Sequence, residues 1–315
     1  MHKFWGLVFG VVIFLAAGLF AIAKPMGWWL PADISTFGNQ VDNLFYLIFW
    51  ITAFFFLLTE GILIYNVVKF GDPEPARKAP YIHGNHRLEV IWTVVPAGIL
   101  VLIAVLQISA WEEIKYSKSM PKPDGTVCQM VVVARQWEWR VRYPSPKELK
   151  NWESKPEAAV KWGEVANYPY EDYPQIDDVH AVNEIHCWKV DESGKIGKVL
   201  LHLKTRDVLH SFFLPHMRLK QDAVPGKVIP VWFAATEYNC EHDVKTDRWV
   251  ERKGKDDKPM HWDLACAEFC GARHSMMKGR LLVHKNKADF LKWLEHADKE
   301  QKLRSPEKPI IAASR

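Results

Sequence analysis

The stretch Cys266-Ala-Glu-Phe-Cys270-Gly-Ala-Arg-His274-Ser-Met-Met277 places two cysteines, a histidine and a methionine within twelve residues. Thiolate, imidazole and thioether groups are soft or borderline ligands, which suit copper better than magnesium or calcium. The Cys-x-x-x-Cys spacing is wider than the Cys-x-x-Cys of structural zinc sites and of thioredoxin-type redox pairs. The c-type haem signature Cys-x-x-Cys-His does not occur in the sequence. The stretch therefore predicts a copper loop, with a disulfide or zinc loop as the weaker alternative.

A loop this short cannot complete a metal site alone, so a further ligand is expected from elsewhere. His210, in Asp207-Val-Leu-His210-Ser-Phe-Phe, follows an apolar run at 199–204 whose alternation is typical of a strand. The loop order Cys-x-Glu-x-Cys-Gly-x-x-His-x-x-Met resembles the copper loop of cytochrome c oxidase subunit II. Asp-Val-Leu-His-Ser resembles the segment that carries the upstream histidine ligand of that family. The resemblance implies a binuclear copper centre, CuA.

The resemblance also implies a role for each matching residue. In the family both thiolates bridge two copper ions, as Cys266 and Cys270 would here. Two histidines then bind one copper each, and a thioether and a backbone carbonyl are weak axial ligands. The residues that match these four ligands are His210, His274, Met277 and Glu268. The Glu268 side chain further matches a carboxylate that binds magnesium or manganese at the interface with subunit I.

Composition sets bounds on the remaining functions. The 315-residue chain has a formal net charge of +4 and no basic block, so we expect no nucleic-acid partner. Three cysteines lie outside the predicted copper loop: Cys128, Cys187 and Cys240. The sequence leaves open whether they are buried thiols or whether two of them are oxidised.

Three apolar runs predict membrane segments. Residues 4–23 follow a short basic start, and segment 1–24 is interpreted either as a transmembrane helix or as a signal peptide. The runs at 44–68 and 90–109 form a predicted transmembrane hairpin over 40–112. Either interpretation of the first segment leaves the hairpin orientation unchanged.

Charge asymmetry orients the hairpin. The loop at 69–87 holds four Lys or Arg residues, whereas the connector at 24–43 holds only Lys24. The positive-inside rule therefore places that loop in the cytoplasm and everything after Trp111 outside. With the resemblance, this implies a multi-pass protein of a bacterial-type plasma membrane with a periplasmic domain.

The start of the last membrane segment carries a second candidate site. Arg87-Leu-Glu89-Val-Ile-Trp92-Thr-Val-Val-Pro96 resembles the opening of the second hairpin helix of subunit II. In the family, a glutamate matching Glu89 lies at the mouth of a proton path into the catalytic subunit. The alternative is a carboxylate that interacts favourably with the helix N-terminus.

The residues after the hairpin predict an all-β, cupredoxin-like Greek-key domain over 115–298, because many short strands carry ligand loops near one end. Two charged insertions, near 144–182 and 237–262, are predicted as long loops, and 299–315 as a flexible tail. The second insertion carries Cys240, His242 and His261, a weak metal-like set for which a solvated loop is the favoured interpretation.

An aromatic pair supplies a candidate for electron transfer. Trp137, Trp139, Val141 and Tyr143 alternate and are predicted to share one face of a strand. The segment resembles the Gln-Trp-x-Trp of subunit II, in which the first tryptophan accepts electrons from cytochrome c. That role would fall on Trp137, and a buried packing role is the alternative.

Together the resemblance implies the subunit that receives electrons from cytochrome c and passes them to haem in subunit I. The complex, which also contains subunit III, reduces dioxygen to water and pumps protons. Two alternatives are the copper subunit of a nitric oxide reductase and a membrane-tethered copper electron carrier. The complete ligand set argues against a quinol donor.

Overall fold

The structure, a computed structural model, describes residues 2–71, 81, 83–123, 126–166 and 177–304. The chain forms two compact units. One comprises Met1–Ala32 and Gln40–Trp111, and the other Asp33–Asn39 and Glu112–Arg315.

Three long helices make up the first unit: α1 His2–Ala23, α2 Gly38–Phe70 and α3 His86–Lys115. All three are long and apolar enough to cross a membrane. Most of their apolar side chains are exposed, as expected of helices whose surroundings are lipid rather than water. The three predicted apolar runs lie inside these helices, which confirms the helical part of the predicted fold. For the first segment, the retained transmembrane helix and the cleaved signal peptide both stay predictions.

The second unit is built on two β-sheets. The first sheet has the strand order β3-β2-β1-β5-β8, with β1 and β5 parallel and the other neighbours antiparallel. Its strands are β1 Cys128–Arg135, β2 Glu138–Tyr143, β3 Val179–Val182, β5 Lys198–Thr205 and β8 Ile229–Ala234.

The second sheet has the order β10-β9-β12-β11-β6-β7. The remaining strand, β4, runs parallel to β12 on the edge opposite β9 and β11. The strands are β4 Glu184–Val190, β6 His210–Leu214, β7 Leu219–Ala223, β9 Cys240–Asp243, β10 Arg248–Glu251, β11 Asp263–Cys266 and β12 Lys278–Asn286.

The two sheets share one core. Trp139 of β2 is fully buried and meets Phe212 of β6 edge-to-face, with ring centroids 5.6 Å apart. The Tyr143 hydroxyl of the first sheet accepts a hydrogen bond from the His186 backbone N–H of the second, at 2.7 Å. The chain crosses between the sheets several times, and this sandwich is the predicted cupredoxin-like domain.

Part of the predicted connector belongs to this sandwich. Ile34 and Phe37 are buried, and Ser35 forms an isolated antiparallel bridge to Ala235. Phe37 packs edge-to-face on Trp232, with centroids 5.6 Å apart. Because only two apolar side chains, separated by two polar residues, make this contact, sequence periodicity did not reveal the segment.

The prediction of a loop over the first insertion is wrong. Helices α4 Pro146–Ser154 and α5 Pro156–Ala166 fill its first half, while 167–176 lie outside the described residues. Ser145 and Glu148 form a capping box that satisfies free N–H groups at the start of α4. Both helices begin with proline, which is favoured at the first helical position. Both helices are short and lack a long apolar period, so hydrophobic periodicity did not predict them.

The second insertion also differs from its prediction, because it contains the β9–β10 hairpin. Helix α6, Lys287–Arg304, then closes the domain. The predicted tail at 299–315 begins inside α6, so it is wrong over 299–304, and residues 305–315 lie outside the described residues.

Candidate metal centre

Strand pairing brings the predicted ligands together. Cys266, the last residue of β11, pairs with Phe212 of β6, and β6 begins at His210. The Ala267 N–H donates to the Ser211 carbonyl at 3.0 Å, which extends this pairing into the loop. The rest of the loop returns through a short 3₁₀ turn into β12. Antiparallel strand pairing therefore brings together Cys266 and His210, which are 56 positions apart in the sequence.

The two thiols lie face to face, and each has its own imidazole. Cys266 Sγ and Cys270 Sγ are 3.8 Å apart. His210 Nδ1 lies 3.8 Å from Cys266 Sγ, and His274 Nδ1 lies 3.5 Å from Cys270 Sγ. An S–S bond is about 2.05 Å long, so these are two free thiols rather than a disulfide.

Each thiol has one further weak donor beside it. The Glu268 backbone oxygen is 3.3 Å from Cys266 Sγ, and Met277 Sδ is 3.9 Å from Cys270 Sγ. The donor set thus has two parts, each with one thiol, one imidazole nitrogen and one weaker donor, which is a backbone carbonyl in the first part and a thioether in the second. Soft sulfur and imidazole donors in this arrangement fit two copper ions that share both thiolates.

Protonation differs between the two sulfurs. Burial alone would raise the pKa of Cys266, but hydrogen bonding to His210 and to backbone groups lowers it to about 6. Burial and the negative charge of Cys266 raise the pKa of Cys270 to about 12. One sulfur is therefore ready to bind a cation near neutral pH, and the second loses its proton when a cation arrives.

Asp207 contacts a candidate ligand, although the sequence pattern alone gave it no role. Its Oδ1 lies 2.8 Å from His210 Nε2, and its Oδ2 accepts from the Gln136 backbone N–H at 2.7 Å. A carboxylate on the far nitrogen of a ligating histidine fixes the ring orientation and the tautomer. Its position three residues before a candidate ligand is the signal that could have identified it.

Trp137 does not lie on the strand predicted for it. Strand β2 begins at Glu138, and Trp137 occupies the turn between β1 and β2, where its side chain is half-buried. Only Trp139, Val141 and Tyr143 share the buried face, so the predicted alternation fails at its first residue. A tight two-residue connection between antiparallel strands imposes this change of direction.

The turn instead places Trp137 against the metal loop. A Cβ on Gly271 would lie 3.3 Å from Trp137 Cζ2 and 2.9 Å from Gln136 Nε2. The Gln136 side chain donates to the Cys270 carbonyl at 2.8 Å. Trp139 takes the buried position and meets the His210 ring edge-to-face at 6.2 Å. Trp137 near the surface and Trp139 in the core therefore both lie next to candidate ligand residues.

The remaining predicted residues lie in different surroundings. The Glu268 side chain is exposed, and Glu89 lies in the first turn of α3, 3.6 Å from His86 Nδ1. His242 and His261 form ion pairs with Asp247 and Glu251. Cys240 is buried instead with two other histidines, so the weak set of the second insertion does not form one site.

Comparisons with known proteins agree with this architecture. The family model described as cytochrome c oxidase subunit II, transmembrane domain, matches residues 23–109, and the model of the periplasmic domain matches 193–243. The alternative cytochrome c oxidase subunit 2 of Bradyrhizobium diazoefficiens is 28% identical over 90% of each chain. Cytochrome c oxidase subunit 2 of Thermostichus vulcanus is 27% identical over 92% of this chain and 84% of its own.

Among solved structures, the periplasmic domain of subunit II of cytochrome oxidase from Bradyrhizobium japonicum is similar, with a TM-score of 0.35 and 19% identity. It covers 57% of this chain and 97% of its own.

The fold defines a membrane-anchored protein with a cupredoxin-like external domain, and its paired-thiol site is a candidate metal centre. The two family models and the curated relatives support cytochrome c oxidase subunit II, a subunit of a haem-copper oxidase, which is an oxidoreductase. It is a membrane protein with an external domain. The periplasmic match ends at residue 243, before the ligand loop, so the ligand assignment rests on this chain's own residues.

Proposed function

We propose that this subunit accepts single electrons from cytochrome c at a binuclear copper centre and passes them to haem in subunit I. Dioxygen reduction to water and proton pumping would belong to the complex, in which subunit III is a further partner. One observation carries the proposal: two free thiols 3.8 Å apart, each with its own imidazole and one weaker donor beside it.

A bound copper pair would supply a one-electron couple in which two shared thiolates delocalise the charge. The protein's contribution is to hold the ligands still. His210 is fully buried and oriented by Asp207, and Met277 is also fully buried. Ligands that barely move between oxidation states keep the reorganisation on electron transfer small, and the surrounding hydrogen bonds and burial tune the potential.

Trp137 is the proposed point of electron uptake. Its half-buried ring lies on a surface turn and against Gly271 of the ligand loop. The same loop exposes two large apolar side chains, Phe269 at 77% and Met276 at 71%. Arg273 lies with its guanidinium carbon 6.0 Å from the Trp137 ring. A donor that docks through apolar contact more than through charge would suit this surface.

Two carboxylates have proposed secondary roles. The exposed Glu268 side chain is free of the thiol cluster and could bind magnesium or manganese together with residues of subunit I. Glu89 is proposed as the mouth of a proton path, and its half-exposed side chain at the start of α3 is compatible with that role. We also propose that the protein lies in a bacterial-type plasma membrane, with the sandwich in the periplasm.

Trp137→Phe tests electron uptake in the assembled oxidase. The smaller ring preserves an apolar side chain, so the purple copper absorption should remain. Reduction by cytochrome c in stopped flow should slow by more than about tenfold, with donor affinity nearly unchanged. Trp139→Phe is the buried comparison, and it should affect stability more than uptake. Trp249→Phe is a control on the β9–β10 hairpin, where no change in uptake is expected.

Two results would count against the proposal. Reduction of the Trp137→Phe oxidase at the wild-type rate would leave Trp137 as a packing residue. A wild-type chain that is purified without its haem-containing partner, holds no copper and shows no purple absorption would overturn the copper centre itself.

A further inference from the structure

Three buried ligand-type side chains meet at a second place in the sandwich. His186, Cys240 and His284 lie on β4, β9 and β12, which are neighbouring strands with β12 in the middle. Their exposed fractions are 1%, 1% and 0%. One ligand atom from each lies within 4.8 Å of the other two. The second insertion supplies the cysteine, and the sandwich supplies both histidines.

This cluster is separate from the paired-thiol site. Met277 immediately precedes β12, and His284 lies seven residues further along that strand. At the rise of an extended strand this separates the two sites by roughly 20 Å. None of the three side chains belongs to the copper ligand set described above.

The polar groups around the histidines resemble those of a metal site. His186 Nδ1 lies 3.0 Å from His284 Nε2, inside the cluster. His186 Nε2 lies 3.5 Å from the Glu184 carboxylate, which is also paired with Arg280. A carboxylate on the outer nitrogen leaves the inner nitrogen with a lone pair that faces the cluster. This is the arrangement that orients histidine ligands in many metal sites.

Aromatic rings cover two sides of the cluster. The Trp293 ring of α6 stacks on the His186 ring, with centroids 3.7 Å apart and planes 9° apart. Trp249 of β10 meets the His284 ring edge-to-face at 4.7 Å. Within the part of the chain that the structure describes, the buried His284 Nδ1 has no hydrogen-bond partner. Burial lowers the pKa of both histidines, so both are neutral and able to bind a cation at neutral pH.

We propose that His186, Cys240 and His284 form a second, structural metal site for a single soft or borderline ion, either zinc or cuprous copper. Two imidazoles and a thiolate select these ions, whereas magnesium and calcium require oxygen ligands. On binding, the Cys240 thiol releases its proton to solvent and its sulfur binds the ion. Both imidazoles donate lone pairs, and no redox partner is needed.

The site would join three parts of the domain. Cys240 begins β9, His186 lies on β4 at the opposite edge of β12, and α6 covers the cluster through Trp293. A metal there cross-links the inserted hairpin to the sandwich. The same linkage predicts that metal binding stabilises the folded domain.

The test uses the full chain, purified in detergent, with its purple copper centre already filled. Wild type and Cys240→Ser are incubated with buffered zinc or, under reducing conditions, with cuprous ion, and retained metal is counted per chain. Wild type should retain one ion more than Cys240→Ser, with equal purple absorption and a higher unfolding temperature. Competition between the two ions at equal free concentration identifies which one the site prefers.

Cys187→Ser is the matched control. Cys187 is equally buried and adjacent to His186, but successive strand residues face opposite sides of the sheet. This variant should keep the additional ion. Loss of the ion in Cys187→Ser, or the same metal content in Cys240→Ser and wild type, would overturn the proposal.

X-ray absorption at the zinc edge gives a readout that needs no variant. The zinc-loaded wild type should show one sulfur at about 2.3 Å and nitrogens at about 2.0 Å. A shell of oxygen ligands alone, or no retained ion of either kind, would identify the cluster as a buried histidine pair beside an unliganded thiol.

Discussion

At the scale of single residues, the ligand loop depends on close contact with the turn that carries Trp137. Gly271 has a φ of +117°, a region that side-chain-bearing residues rarely adopt. The absent Cβ leaves space for the Gln136 amide and the Trp137 ring. The Gln136 side-chain amide in turn donates a hydrogen bond to the Cys270 carbonyl. One glycine therefore sets the distance between the proposed point of electron uptake and a thiol ligand.

We expect Gly271→Ala to destabilise the domain and to slow electron uptake. Strained backbone costs about 1–3 kcal/mol, and the added methyl group must also displace Gln136 from the Cys270 carbonyl. The matched control is Gly194→Ala, where φ is +79° but no atom lies within 4 Å of the new Cβ. Thermal unfolding and stopped-flow reduction measure both effects. Equal losses in the two variants, with unchanged uptake, would contradict the contact between loop and turn.

At the scale of elements, the start of α4 is sensitive to pH. Glu148 belongs to the capping box of this helix. Burial, then the negative charges of Asp178 and Asp177, raise its pKa to about 7, partly offset by Arg142. The folded chain thus keeps the Glu148 proton over a range in which the unfolded chain has lost it. Stability from this group is present at low pH and declines as pH rises from the unfolded pKa towards 7.

We expect wild type to lose more stability than Glu148→Gln between about pH 5 and about pH 8, because the amide does not titrate. The side chain is only half-buried, so the difference should be on the order of 1 kcal/mol after solvent screening. Glu157→Gln, an exposed carboxylate at the start of α5, is the control and should follow wild type. Thermal unfolding of the three proteins across this range provides the measurement. Parallel curves for wild type and Glu148→Gln would contradict the assignment.

At the scale of the whole molecule, the charge asymmetry predicts opposite exposure of two sites. Tyr81, 86% exposed, lies in the loop between α2 and α3, and Val244, 83% exposed, lies in the β9–β10 turn. A membrane-impermeant maleimide should label Val244→Cys in intact spheroplasts. It should label Tyr81→Cys only after lysis, because the positive-inside rule holds that loop in the cytoplasm. Unmodified protein gives the background, and the reverse labelling pattern would invert the topology.

The sequence by itself determined the three apolar helices and the β-rich external domain, and it supplied six candidate ligand positions. These signals are local: apolar runs of membrane length, alternating strands, and soft ligands at fixed spacing. Asp207 was already visible three residues before His210, although its role became clear only from its hydrogen bonds. The Ser145 and Glu148 pair of the capping box is likewise visible in the sequence. A helix of nine residues, however, is too short for its apolar periodicity to be recognised.

Only the tertiary structure decided which distant side chains meet. Trp137 and Trp139 look equivalent in the sequence, yet the hairpin turn puts one on the surface and the other in the core. Cys240 stood beside His242 and His261 in a charged insertion, and pairing of β9 with β12 gave it His186 and His284 as neighbours instead. Strand order and register set these contacts, and they depend on the burial of the whole sandwich rather than on any short stretch of chain.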